Sequence, residues 1–214
     1  MKPLAMASIL LALLVCSGCK STYYGMWQKL GWEKRDILVD RVKDARDDQT
    51  KAKEQFKTTL EQFQALTNFQ GGDLEAKYKK LNSAYEDCKS RAESVSSRVA
   101  SIDTVAQDLF KEWNKELDEY ENADLKRRSA QELHDTQARY AQLIAAMRKS
   151  VDSMQPVLGA FHDQVLFLKH NLNAAAINSL QTTAAGIDAD VKKLIQDMEA
   201  SINEANAFIG QMKD

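Results

Sequence analysis

Between Leu74 and Trp113, apolar and small residues recur at alternating steps of four and three: Leu74, Tyr78, Leu81, Tyr85, Cys88, Ala92, Val95, Val99, Ile102, Ala106, Leu109 and Trp113. A straight α-helix drifts off a strict seven-residue repeat, so a stripe held over this distance requires helices that wrap around one another. A helix of that length is a rod of roughly 60 Å. It cannot bury its stripe alone, and three further stretches of the chain carry matching stripes.

The first runs from Asp36 to Phe69, with Leu38, Val42, Ala45, Gln49, Ala52, Phe56, Thr59, Phe63 and Leu66 on the seam. Gln49 and Thr59 are polar there, and single polar seam residues set register in coiled coils. Gly71-Gly72 ends this helix, and Asp73 is a cap for the next. So short a turn makes the first two helices antiparallel neighbours. The third stretch reads Leu133, Gln137, Tyr140, Ile144, Met147, Val151, Met154, Leu158, Phe161, Val165, Leu168 and Leu172, with Pro156 inside it. Its phase holds across the proline, which predicts one helix kinked near Ser153 rather than two. Asn171 to Asn173 offer a turn and a cap. The fourth stretch follows Ile177, Leu180, Ala184, Ile187, Val191, Leu194, Met198, Ile202, Ala205 and Phe208 or Ile209.

The fold expected is all-α: an elongated antiparallel bundle of about four long helices with heptad packing, over residues 36–214. With Gly 8 and Pro 2 in 214 residues there is little punctuation for many short elements. The join of the second and third helices is less defined. Acidic residues from Glu116 to Asp124 meet Lys126-Arg127-Arg128, and Ser129-Ala130-Gln131-Glu132 has capping-box spacing. A break between Asn122 and Ser129 is the expectation, with a continuous helix as the alternative.

Residues 1–18 have the pattern of an export signal: Lys2, an apolar run from Leu4 to Val15, then Cys16-Ser17-Gly18-Cys19. The run is short for a membrane span. The ending resembles the lipobox of bacterial lipoproteins, in which a thiol after Gly or Ala is acylated and becomes the first residue. By that resemblance Cys19 is the lipidated residue, although Cys16 stands where Leu is usual. An ordinary secretory signal is the alternative. Lys20, not Asp, follows Cys19, a pattern similar to lipoproteins forwarded to the outer membrane. The expected location is therefore that membrane, facing the periplasm, with inner-membrane retention as the alternative.

Residues 19–35 form a tether rich in aromatics. Tyr23, Tyr24, Trp27 and Trp32 suit the headgroup layer of a bilayer, or else cap the end of the bundle. Trp113 is expected far from the anchor, on the distant part of its seam. With Cys19 acylated, Cys88 is left as a free thiol on the seam, expected to be buried and inert.

The residues offer no reacting constellation. Gln131, Gly159 and Phe167 stand three positions before His134, His162 and His170, so the Glu-x-x-His pairs of a di-iron bundle are missing, and no His-Glu-x-x-His zinc pattern occurs. Asp188-Ala189-Asp190 resembles the start of a calcium loop but lacks its glycine. Acidic pairs such as Asp47-Asp48 and Glu116 with Glu119 are expected on open helix surface with ordinary pKa values. No metal and no cofactor are expected. A formal charge of −2 gives no strong drive toward nucleic acid.

Several whole segments, Lys34-Arg35-Asp36-Ile37-Leu38-Val39-Asp40-Arg41-Val42, Asn68-Phe69-Gln70-Gly71-Gly72-Asp73-Leu74, Ile144-Ala145-Ala146-Met147-Arg148 and Leu168-Lys169-His170-Asn171-Leu172-Asn173-Ala174, resemble a family of uncharacterised proteobacterial lipoproteins, known only as a domain of unknown function. The resemblance spans nearly all of the mature chain and implies an envelope lipoprotein without assigning an activity. The expected role is a non-catalytic scaffold or adaptor, bound to the bilayer through Cys19 and meeting an envelope protein partner. The alternative is a module whose bundle opens near Met147, Met154 and Pro156 to carry a hydrophobic ligand or an amphipathic helix.

Overall fold

The computed structural model describes residues 34–69 and 71–212. Four long helices account for nearly all of them: α1 (Lys34–Thr67), α2 (Leu74–Glu116), α3 (Ala123–His170) and α4 (Ala174–Gln211). No strand occurs among the described residues. Each helix packs along its sequence neighbour, and α4 closes back on α1, so the four form an up-down antiparallel ring around one core. Helices of 34 to 48 residues make a rod roughly 50–70 Å long. Among the described residues no helix is long and apolar enough to cross a membrane.

The stripes meet as the heptads predict. Leu38, Val42, Phe56, Phe63 and Leu66 of α1 are fully buried against Leu81, Cys88, Val95, Ile102 and Ala106 of α2, Met147, Met154, Phe161 and Leu168 of α3, and Leu180, Val191, Leu194, Met198 and Ala205 of α4. Burying a side chain of this size stabilises the fold by about 1.5–3 kcal/mol. Phe63 and Phe161 meet edge to face inside the core, 6.3 Å apart.

Helix ends follow local chemistry. Gly71 and Gly72 have φ of 134° and 105°, a region that L side chains rarely adopt, and so let the chain reverse between α1 and α2. Asp73 accepts from the N–H of Ala76 at 2.9 Å, capping α2, and Asn173 does the same for α4 through the N–H of Ala176.

The α2–α3 join is broken, and earlier than expected. Helix α2 stops at Glu116, one 3-10 turn covers Leu117–Glu119, and Asn122 accepts from the N–H groups of Asp124 and Leu125 to start α3. Carboxylates at Glu116, Asp118, Glu119 and Glu121 repel the negative end of α2, while Asn122 satisfies two free donors, so no Gly or Pro is needed. The expected capping box at Ser129 is instead interior to α3.

Three seam assignments also shift. Gln137 is exposed and Thr136 is buried in its place. Leu172 lies past the end of α3 and is exposed. On α4 the fully buried position is Ser201, with Ile202 half-buried. Helix α3 runs unbroken through Pro156, as its conserved phase required.

Candidate functional site

The candidate lipidation residue Cys19 and the candidate membrane-contact residues Tyr23, Tyr24, Trp27 and Trp32 lie outside the described residues. What the structure describes is the end of the rod from which they depart. Lys34 pairs with Glu112 across 2.7 Å, and Arg35 donates to the carbonyl of Met212. The start of α1, the end of α2, the start of α3 and the end of α4 therefore meet at one end, here called the base. The end of α1, the start of α2, the end of α3 and the start of α4 lie at the other end, the tip.

This topology corrects the placement of Trp113. An antiparallel return brings the far end of α2 back beside Lys34, so Trp113 belongs to the base. It is half-buried, and its Nε1–H donates to Oγ of Ser129 at 2.8 Å. That contact explains what Ser129 does in the middle of a helix.

Among the described residues, most buried polar side chains fall in a few hydrogen-bonded clusters, while Nε of Arg139 is buried without a partner. Gln49, fully buried, donates to Oγ of Ser150 at 3.4 Å and accepts from Oγ of Ser201 at 2.9 Å, tying α1 to α3 and α4. Thr59 donates to the carbonyl of Gln55 at 2.9 Å or that of Ala84 at 3.0 Å, and its Oγ lies 3.1 Å from Sγ of Cys88. Burial pushes the Cys88 thiol up to about 12, against the smaller opposing effect of Thr59. A thiol so held is not a nucleophile at neutral pH.

Between α3 and α4, Asp197 takes hydrogen bonds from Lys149 at 2.7 Å, Ser153 at 2.7 Å and Lys193 at 3.1 Å. Led by Lys149, these outweigh burial and hold its carboxyl at about 2. Between α2 and α3, Asp103 accepts from the Tyr140 hydroxyl at 2.6 Å, and Arg148 lies 3.1 Å away. Burial, reinforced by that carboxylate, pushes the Tyr140 phenol far above its usual range. Neither cluster has a nucleophile beside a free base, so each reads as a helix-to-helix clasp.

Asp48 departs from the expectation of an open surface with an ordinary pKa. Its side chain is 13% exposed beneath Arg98, which reaches Asp48 at 3.1 Å and Asp44 at 3.0 Å. Burial alone would raise its pKa, but hydrogen bonds from Arg98, Ser94 and Lys51 together lower it. Asp188 lies on α4, paired with Lys192 at 2.6 Å rather than in a loop. His134, His162 and His170 are exposed. Among the described residues no group of three His, Cys, Asp or Glu side chains is placed to hold a metal ion.

An open cleft of about 700 Å³ separates α2 from α3 beside Pro156. Ala92, Ser96 and Ala100 line it on α2, Leu158 and Gly159 on α3, with Lys89 and His162 also on its wall. The ring of His162 stands 5.8 Å from that of Tyr85. The sequence signal for this cleft was the small residues Ser96, Ser97 and Ala100, which interrupt the charged pattern of the wet face.

A family model described as "Protein of unknown function (DUF2959)" matches residues 23–212. The chain belongs to that family. Membership accounts for the whole bundle and the aromatic part of the tether, and the family carries no activity or site residue to this chain. No curated protein and no solved structure matches the chain.

Proposed function

We propose that this member of the family is a bacterial envelope lipoprotein, anchored through acylated Cys19, whose helical rod serves as a non-catalytic scaffold or adaptor. The observation that carries the reading is one continuous cluster of buried apolar side chains contributed by all four helices. Met147, Met154 and Phe161, the residues around Pro156 that a cargo carrier would need to part, are all fully buried. The wet faces carry ion pairs that clasp neighbouring helices, such as Lys53 with Glu199 and Arg98 with Asp44 and Asp48. Such a body holds its length and offers an extended surface, with the α2/α3 cleft open to solvent. Upstream of it, the signal-like run and Gly18-Cys19 supply the anchor, and Lys20 favours the outer membrane with the rod in the periplasm. Trp27 and Trp32, with Tyr23 and Tyr24, serve as an aromatic contact beside the acyl chains.

The test is in-cell photo-cross-linking from exposed positions along α1 to α4, with fractionation of wild type and Cys19→Ser in parallel. The expected result is a partner protein captured reproducibly from one face, and loss of membrane attachment in the variant. A variant that stays fully processed and membrane-bound overturns the anchor, and a rod that captures nothing from any face overturns the adaptor role.

A second reading, a binding module for an amphipathic helix, is favoured by the α2/α3 cleft. Binding of such a peptide that is abolished by Gly159→Trp, with folding intact, would make it the better one.

A further inference from the structure

Large apolar side chains are exposed in two places among the described residues. Leu166, Phe167 and Leu172 lie at the tip, and Tyr120, 41% exposed, and Leu125, 51% exposed, lie at the base. Single exposed apolar residues scattered over a surface carry no message, but here the long sides of the rod are free of them. The base pair sits on the connection between α2 and α3, with Tyr120 in extended backbone after the 3-10 turn and Leu125 in the first turn of α3. Asn122 holds that turn rigidly by accepting from the N–H groups of Asp124 and Leu125.

The occupant is indicated by where the chain enters. Lys34 is at this same end, clasped to Glu112, and only fifteen peptide steps separate it from Cys19. Fully extended, such a tether reaches about 50 Å, and any compaction brings the base closer to the bilayer. Unlike the tip, a rod length further along the molecule, the base stays within that tether length of the anchor at any tilt of the rod. Residues 116–128 carry five carboxylates against three cations, a net charge of −2. Lys126 pairs with Asp118 at 3.2 Å and Arg127 with Asp124 at 2.9 Å, and the remaining excess meets little repulsion at a zwitterionic headgroup layer, in contrast to an anionic one. Acyl chains fix one point of the protein and leave the rod free to tilt, and a second apolar contact at the base restrains that tilt. A tyrosine ring suits the layer where one end is apolar and the other wet.

We infer that the α2–α3 connection is a second membrane contact, in which Tyr120 and Leu125 enter the headgroup region of the bilayer that holds the lipid anchor and set the rod upright on it. This rests on the anchor reading above.

The experiment uses full-length acylated protein in phosphatidylcholine–phosphatidylethanolamine vesicles, some lipids bearing a headgroup nitroxide. A fluorescent label is placed at Glu121→Cys at the base or at Lys169→Cys near the tip; Cys88 is buried and stays unlabelled. Flotation reports anchoring and quenching reports contact. The expected result is quenching at least fivefold greater at position 121 than at 169, most of it lost in Tyr120→Ser/Leu125→Ser protein that still floats. Equal quenching at both positions, or quenching at 121 that survives the double substitution, overturns the loop contact while leaving the anchor intact. Failure of the wild type to float overturns the anchor and the inference together.

Discussion

Ser201 donates its hydroxyl proton to Oε1 of Gln49 across 2.9 Å, and neither residue has any solvent exposure. The bond makes one polar layer in a largely apolar core, with Ser150 as its third member. A partner removed from such a layer leaves a buried dipole without compensation, at about 1–3 kcal/mol. Gln49→Ala, which also opens a cavity, is expected to fall at or above the upper end of that range in denaturant unfolding. Replacing all three, as Gln49→Leu/Ser150→Ala/Ser201→Ala, is expected to cost far less, because nothing polar is then stranded. A triple variant less stable than the single one would mean that the layer is held by more than these bonds.

Val99→Asp places a carboxylate where 5% of the residue is exposed, and is expected to destabilise by several kcal/mol. Ser97→Asp, on the exposed face two residues away, is expected to shift the melting temperature little. Arg98→Asp is not an innocent control. It sets a third acid against Asp44 and Asp48, so its cost should lie between the other two. Thermal melts of the three variants check the order.

Cys88 should resist thiol reagents in native protein, since burial both blocks access and suppresses the thiolate. Its labelling rate in increasing denaturant should track global unfolding. Rapid labelling without denaturant would contradict the packing of α2 on α1.

Asp197 makes a pH-dependent contribution. Its folded pKa, about 2, lies below the ordinary carboxylate value, so the stabilisation is present in full above about pH 4 and is lost as pH falls toward 2. Lys149 and Lys193 are largely exposed, so solvent screens the pair and the contribution is on the order of 1–2 kcal/mol. Asp197→Asn should remove this part of the acid dependence of stability. Unfolding free energies of both proteins at pH 6 and pH 3 test it, and an unchanged difference between the two pH values would count against the clasp.

Gly72→Ala is expected to cost about 1 kcal/mol. A Cβ there meets nothing within 4 Å, so the penalty is purely that of holding alanine at φ 105°. Gly159→Ala also meets open space but lies in ordinary helix, so it should be neutral or slightly stabilising. Paired melts separate the two.

Periodicity was enough to determine the helices, their antiparallel order and most of the core, because a heptad stripe encodes which face is buried whatever its partner is. Leu81, Val95, Phe161 and Leu194 were legible for that reason, as were Gln49 and Thr59, whose positions on the stripe left them no route to water. Asp73 and Asn173 were legible too, since a cap acts within its own turn. The rest depends on what lies opposite. Nothing local distinguishes Thr136 from Gln137 as the buried residue, or Ser201 from Ile202; the neighbouring helix decides which side of the stripe it covers. Ser129 looked like a cap because its spacing was right, yet the indole of Trp113 on another helix claims it. Asp48 looked like open surface until Arg98 from α2 covered it. The antiparallel order places the start of the first helix and the end of the second at one end of the rod, but only the tertiary structure shows that Lys34 and Glu112, about eighty residues apart along the chain, pair there. A stripe carries distance along its own helix, but the gathering of Lys34, Trp113, Tyr120 and Leu125 at a single base arises from the antiparallel return, a relation between helices that no single stretch contains.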